Sequence, residues 1–132
     1  MALVITIDRL SEEPLYEQIR RQVVTSVASG DLRPGDVLPS VRSLAQDLGI
    51  NFHTVNKAYQ ELRDEGFVIL LGRRGAFVAD VASEPTAGMG EAELGRRLDR
   101  LAIEFLASGG TREAFVAAAS RAVEAPPGAT GA

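Results

Sequence analysis

The stretch SVRSLAQDLGINFHTVNKAYQELRDEG, Ser40 to Gly66, decides how this chain is read. Val41, Leu44, Ala45 and Leu48 recur at the i, i+3, i+4, i+7 spacing of one helix face, and Ser40 stands before them as a cap for the first turn. Gly49 supplies a left-handed stop. Asn51 then restarts as a second N-cap, and Val55, Ala58, Tyr59 and Leu62 repeat the apolar stripe until Gly66. The spacing predicts two short helices joined by a glycine-containing break, a helix-turn-helix.

At about 100° per residue the apolar positions of the second of these helices cluster on one side, and His53, Lys57, Gln60 and Asp64 fall opposite them. The N-terminal half of the outward face carries Asn51, His53, Thr54, Asn56 and Lys57, among them the chain's single His and single Lys. Side chains of these types hydrogen-bond phosphate oxygens and base edges, and the helix N-terminus adds partial positive charge. A polar face on a surface helix otherwise means contact with water, so the flanking sequence has to decide between the two.

On the C-terminal side, FVILLGRRGAFVAD (67–80) places two β-rich runs around a Gly-Arg-Arg-Gly tip, which reads as a hairpin. A helix-turn-helix followed by a hairpin predicts a winged-helix domain with a basic wing. On the N-terminal side, SEEPLYEQIRRQVVTSVASG (11–30) sets Tyr16, Ile19, Val23 and Val27 at helical spacing, with Pro14 in the first turn and Gly30 past the end. The opening LVITI (3–7) reads as a short strand that Asp8 stops. DLRPGDVLPS (31–40) is irregular, with Pro39 biasing Leu38 to an extended conformation.

Residues 80–90 have the small, polar composition of a linker. Beyond it Leu94, Leu98, Leu101 and Phe105 form a heptad-like seam, and a last helix, capped at Thr111 and running to about Glu124, sets Phe115, Ala118, Ala119 and Ala122 on one face. The seam packs either against that last helix alone or against a second copy. Two helices of this length bury too little to stand alone, so a homodimer paired through Leu94, Leu98, Leu101, Phe105 and Phe115 is expected. The organisation expected is a mainly α chain with a small β wing: a winged helix-turn-helix domain at 1–79, a linker at 80–90, a two-helix dimerisation segment at 91–124 and a disordered tail at 125–132.

The bulk composition bounds the function. The chain has 132 residues, 45% hydrophobic and 24% charged, with room for one proper core plus a small appendage. It has no Cys, which removes disulfides and thiolate chemistry. No apolar run approaches a membrane span and MALVITIDRL lacks the form of a secretory leader, so a cytoplasmic protein without membrane contact is expected. The net charge of −4 is the wrong sign for coating nucleic acid through bulk potential; positive charge is local, at Arg42, Lys57, Arg73 and Arg74. There is no nucleophile elbow, phosphate loop or metal-ligand cluster, and His53 stands alone. No enzymatic activity, cofactor or metal is expected.

Three separated motifs, PLYEQIRRQV, GDLRPGDVLPSVRSLAQDLGINFHTVNKAYQELRDEGFV and GRRGAFV, arrive in order over residues 11–79. Together they resemble the N-terminal winged-helix domain of the GntR family of bacterial transcriptional regulators. The Asn-x-x-Thr-Val-x-x-Ala-Tyr pattern from Asn51 to Tyr59, with a short C-terminal part, resembles the YtrA subfamily, in which two C-terminal helices serve dimerisation. The resemblance implies a sequence-specific DNA-binding regulator, in the first instance a repressor, that binds an inverted-repeat operator as a homodimer. It implies Arg42 as a DNA contact, Ser40 as a cap and phosphate donor, Asn51, His53, Thr54 and Lys57 at the reading end, and Arg73, Arg74 and Gly75 at a wing tip that reaches the minor groove. Two residues depart from the family pattern: Phe52 stands where many members have Arg, and Ala76 where Thr is common. The rival reading is a winged-helix module for protein contacts without specific DNA binding. The identity of any small-molecule effector does not follow from the residues.

Overall fold

A computed structural model describes residues 3–80 and 89–124, and the chain divides into two compact units, Met1–Gly88 and Met89–Ala132. In the first unit the helix-turn-helix forms as the spacing predicts. Helix α1 (Leu15–Ser29) follows Pro14 as its N-cap residue and ends at Gly30, whose φ of 86° closes the last turn. A two-residue strand β1 (Val37–Leu38) leads to α2 (Val41–Leu48) and α3 (Phe52–Asp64). Ser40 Oγ accepts from the Ser43 N–H at 3.0 Å and Asn51 Oδ1 accepts from the His53 N–H at 2.7 Å, satisfying backbone donors that each helix start leaves open. Strands β2 (Val68–Leu70) and β3 (Ala76–Val78) close the wing.

The core lies where α3 meets everything else. Val55, Ala58, Tyr59 and Leu62 have no exposed surface and share one cluster with Ile19 and Val23 of α1, Leu44 and Ala45 of α2, and Leu38, Val68, Ala76 and Val78 of the sheet. Tyr59 is the largest of the fully buried side chains, and its hydroxyl donates to the Pro39 carbonyl at 2.6 Å, so α3 holds the loop that sets the start of α2. Burial pushes the Tyr59 phenol above its ordinary pKa, so it is a neutral donor at any physiological pH. Tyr59→Phe keeps the packing and removes this bond, leaving the Pro39 carbonyl without its donor. Thermal unfolding followed by circular dichroism is expected to show a loss of about 1 kcal/mol, or about 4–8 °C in Tm for a unit of this size.

The sheet has the order β1-β3-β2, antiparallel throughout, with Val37 opposite Phe77 and Ile69 opposite Phe77 on the other side. The hairpin is as expected, though its strands are three residues each and a 3-10 turn (Gly72–Arg74) stands between them. Strand β1 was not expected, because two residues beside Pro39 carry no periodic signal; only its pairing with β3 makes it a strand.

The expected strand at LVITI does not form. The segment is extended, but its backbone pairs with side chains: Gln22 accepts from the Thr6 N–H at 3.0 Å and donates to the Thr6 carbonyl at 2.7 Å, while Gln18 accepts from the Asp8 N–H at 2.8 Å and donates to its carbonyl at 2.9 Å. Two amides one helical turn apart thus meet alternate residues of an extended chain, as a neighbouring strand would. Gln18 is the one buried polar residue of the described core, and its amide oxygen accepts one hydrogen bond there while its amide nitrogen donates two, to the carbonyls of Asp8 and Glu13.

The second unit is a helical hairpin of α4 (Glu91–Ala107) and α5 (Arg112–Glu124), with Thr111 Oγ1 accepting from the Ala114 N–H at 3.1 Å as the expected cap. Phe105 lies 6.1 Å from Phe115 between ring centroids and covers Gly110, where a Cβ would collide with the ring. No residue of either helix is buried, and Leu94, Leu98 and Leu101 remain 47%, 37% and 55% exposed. The linker expected at 80–90 falls mostly, and the tail expected at 125–132 wholly, outside the described residues.

Candidate nucleic-acid interface

With its apolar stripe turned inward, α3 presents His53 and Lys57 fully to the surface and Thr54 and Asn56 partly. Lys57 is not a free arm: its Nζ sits 4.0 Å above the ring centroid of Tyr16 on α1, a cation–π contact that leaves the charge intact and fixes where it stands. Tyr16 was expected only as a core residue; it packs against the core and also carries this lysine. The Asn51 side-chain oxygen is committed to the cap, as is the Ser40 hydroxyl oxygen, so the amide nitrogen of the one and the hydroxyl hydrogen of the other are what they can still offer outward.

Arg42, in the first turn of α2, is exposed and makes no ion pair among the described residues, Asp47 of the same helix included. Arg73 and Arg74 occupy the 3-10 turn at the wing tip, both exposed and neither paired with a carboxylate among the described residues. Gly75 closes that turn with φ 100° and ψ −161°, a backbone conformation in which any side chain is strained, and its N–H returns to the Gly72 carbonyl at 3.0 Å. A cleft of about 360 Å³ lies between these parts, lined by Ser40 and Arg42 from α2, Gln60 from α3, and Gly72 and Gly75 from the wing. The fold therefore brings the start of α2 and the glycines of the wing turn to one concave surface.

The distribution of ion pairs explains how an acidic chain keeps a basic face. Arg20 binds Glu65 through two bonds of 2.6 and 2.7 Å and also Glu17, and the hydrogen bonds to Glu65 hold its guanidinium more firmly protonated than usual. Arg21 pairs with Glu13 and Arg63 with Asp64. Arg20 thus ties α1 to the end of α3, and Arg21 ties α1 to the segment before it. Arg9, Arg33, Arg42, Lys57, Arg73 and Arg74 are the cations of the first unit left without a carboxylate partner among the described residues, and of these Arg9 is taken up by backbone carbonyls. Sequence reasoning missed Arg9, whose Nη2 donates to the Gly49 carbonyl at 2.8 Å and so ties the N-terminal segment to the turn between α2 and α3. An isolated arginine after an apolar run gives no signal of such a contact.

A helix-turn-helix with a basic wing on the same face defines a winged-helix protein of the nucleic-acid-binding kind, and the comparisons agree. The family model described as bacterial regulatory proteins, gntR family, matches residues 15–78. The HTH-type transcriptional repressor YtrA of Bacillus subtilis is 44% identical over 79 residues, 60% of this chain and 61% of that protein, so the match spans under two thirds of that relative's length. The solved structure of YtrA from Sulfolobus acidocaldarius, a GntR-family transcription factor, is 39% identical with a TM-score of 0.60, and the match covers 76% of this chain and 98% of that one. The DNA-binding domain of AraR in complex with operator ORX1 is 28% identical with a TM-score of 0.51, over 60% of this chain and 99% of its own. This chain belongs to the GntR family. Among the described residues no helix is long and apolar enough to cross a membrane.

Proposed function

We propose that the chain is a sequence-specific DNA-binding transcriptional repressor that acts as a homodimer on an inverted-repeat operator. The observation that carries this reading is the sorting of charge: Arg42 of α2, Lys57 of α3 and Arg73 and Arg74 of the wing tip have no carboxylate partner among the described residues, while Arg20 and Arg21 of α1 and Arg63 at the far end of α3 are consumed in ion pairs. His53, Thr54 and Lys57, with the Asn51 amide, occupy the end of α3 that a recognition helix presents to the major groove. Arg42 and the Ser40 hydroxyl face phosphates flanking it, and Arg73 and Arg74, on a tip shaped by Gly75, enter the adjoining minor groove. The operator complex of the similar AraR domain supports DNA as the partner.

The dimer rests on the second unit. Its seam of Leu94, Leu98, Leu101 and Phe105, with Phe115 beside it, is left open to solvent by the hairpin itself, and a second copy across a two-fold axis covers it. The two-fold of the protein then appears in the DNA. Occupancy of a site overlapping a promoter excludes polymerase, which needs no chemistry from the protein. The rival, a winged-helix module that binds another protein through α3, draws only on the net charge of −4. Footprinting of the purified dimer on the promoter region of its own gene tests the reading: protection is expected over two symmetry-related half-sites about 10 base pairs apart. Protection without symmetry refutes the dimer geometry, and no protection on any promoter DNA favours the rival.

A further inference from the structure

Phe52 is the residue of α3 that neither the core nor the charge pattern explains. It is the first residue of the helix, 43% exposed, and takes no part in the hydrophobic cluster that absorbs Tyr59 and, at its margin, Tyr16 and Phe67. Its ring is not loose: it meets the His53 ring edge-on, with centroids 5.7 Å apart and planes at 85°. The hydrogen-bonding groups around it are limited, because the Asn51 oxygen is spent on the cap. Along the chain it stands between Arg42 and Lys57, neither with a carboxylate partner among the described residues, and no acid occurs between Asp47 and Glu61. An exposed, oriented aromatic ring inside a positively charged, hydrogen-bonding surface calls for a partner that offers one apolar group among polar edges and phosphates.

We propose that Phe52 is a specificity-determining residue that reads the C5-methyl group of a thymine in each half-site. Among the unmodified bases that methyl is the one apolar group in the major groove. The assignment rests on the DNA-binding reading above and adds to it the identity of a base. A guanidinium at this position would read guanine, whereas a phenyl ring has no means to do so and gains from the methyl instead.

The test starts with selection of a preferred site from random duplexes by the wild-type chain. A thymine is expected at one fixed position of each half-site. Replacing it with deoxyuridine, which lacks only the methyl, is expected to weaken wild-type binding about fourfold per half-site, the worth of one buried methyl-sized group. Phe52→Ala is expected to bind the thymine and deoxyuridine duplexes equally, and Phe52→Arg to select guanine at the same position. Because Phe52 lies outside the core, both variants are expected to melt with the wild type, which circular dichroism checks. If deoxyuridine weakens Phe52→Ala as much as it weakens the wild type, or weakens neither, the DNA reading stands and the assignment of Phe52 falls. If the wild type enriches no sequence at all, the DNA reading itself fails and the assignment falls with it.

Discussion

Replacing Arg42, Arg73 and Arg74 together by Ala is expected to weaken binding to the selected operator by at least about 100-fold and to flatten the slope of log affinity against log salt by about 5 in the dimer. The expectation follows from where these residues stand. None has a carboxylate partner among the described residues, so each is available to a phosphate and its removal leaves no acid unpaired in the protein. All three are exposed, so the melting temperature should not move. Fluorescence anisotropy on a labelled duplex at several salt concentrations measures both affinity and slope. An unchanged slope would mean that these arginines meet no DNA, and the protein-contact reading would gain. Arg20→Ala is the informative contrast: its guanidinium is held by Glu65 and Glu17, so its loss should lower stability and leave the salt slope alone.

Leu98→Glu combined with Leu101→Glu is expected to turn the proposed dimer into a monomer and to lower operator affinity by about 10²–10⁴, the factor by which a linked second half-site raises binding. Both leucines are exposed in the isolated chain, and glutamate sustains a helix, so neither α4 nor the first unit should unfold. Binding to a single half-site should be untouched. Sedimentation velocity reads the first effect and anisotropy on full and half operators the second. If the variant stays dimeric, the interface lies elsewhere; if it becomes monomeric and binds the full operator as before, the two half-sites are not read by one dimer.

The parts of this molecule that were legible in advance are those with a local signature. The stripes at Val41–Leu48 and Val55–Leu62, the caps at Ser40, Asn51 and Thr111 and the stop at Gly49 were all visible, because a helix that must bury one face repeats that need every three or four residues. The wing was visible because two β-rich runs flank a tip with glycine at both ends. What could not be read was settled by partners far along the chain. LVITI has the residues of a strand, but whether an extended segment pairs with a strand or with the amides of Gln18 and Gln22 depends on which element lies beside it. For the same reason the burial of Gln18 had no local signal, β1 went unseen, and Arg9 gave no sign of holding the turn before α3.

The candidate interface divides along the same line. Its residue types and their order on α2, α3 and the wing follow from sequence alone, since helical periodicity decides which side of α3 is oily and hence which side is free. Which cations remain available was decided only by the assembled fold, because pairing depends on distance in space: Arg20 and Arg21 meet acids 45 and 8 positions away, Lys57 settles on a ring of α1, and Arg42, Arg73 and Arg74 find no carboxylate among the described residues.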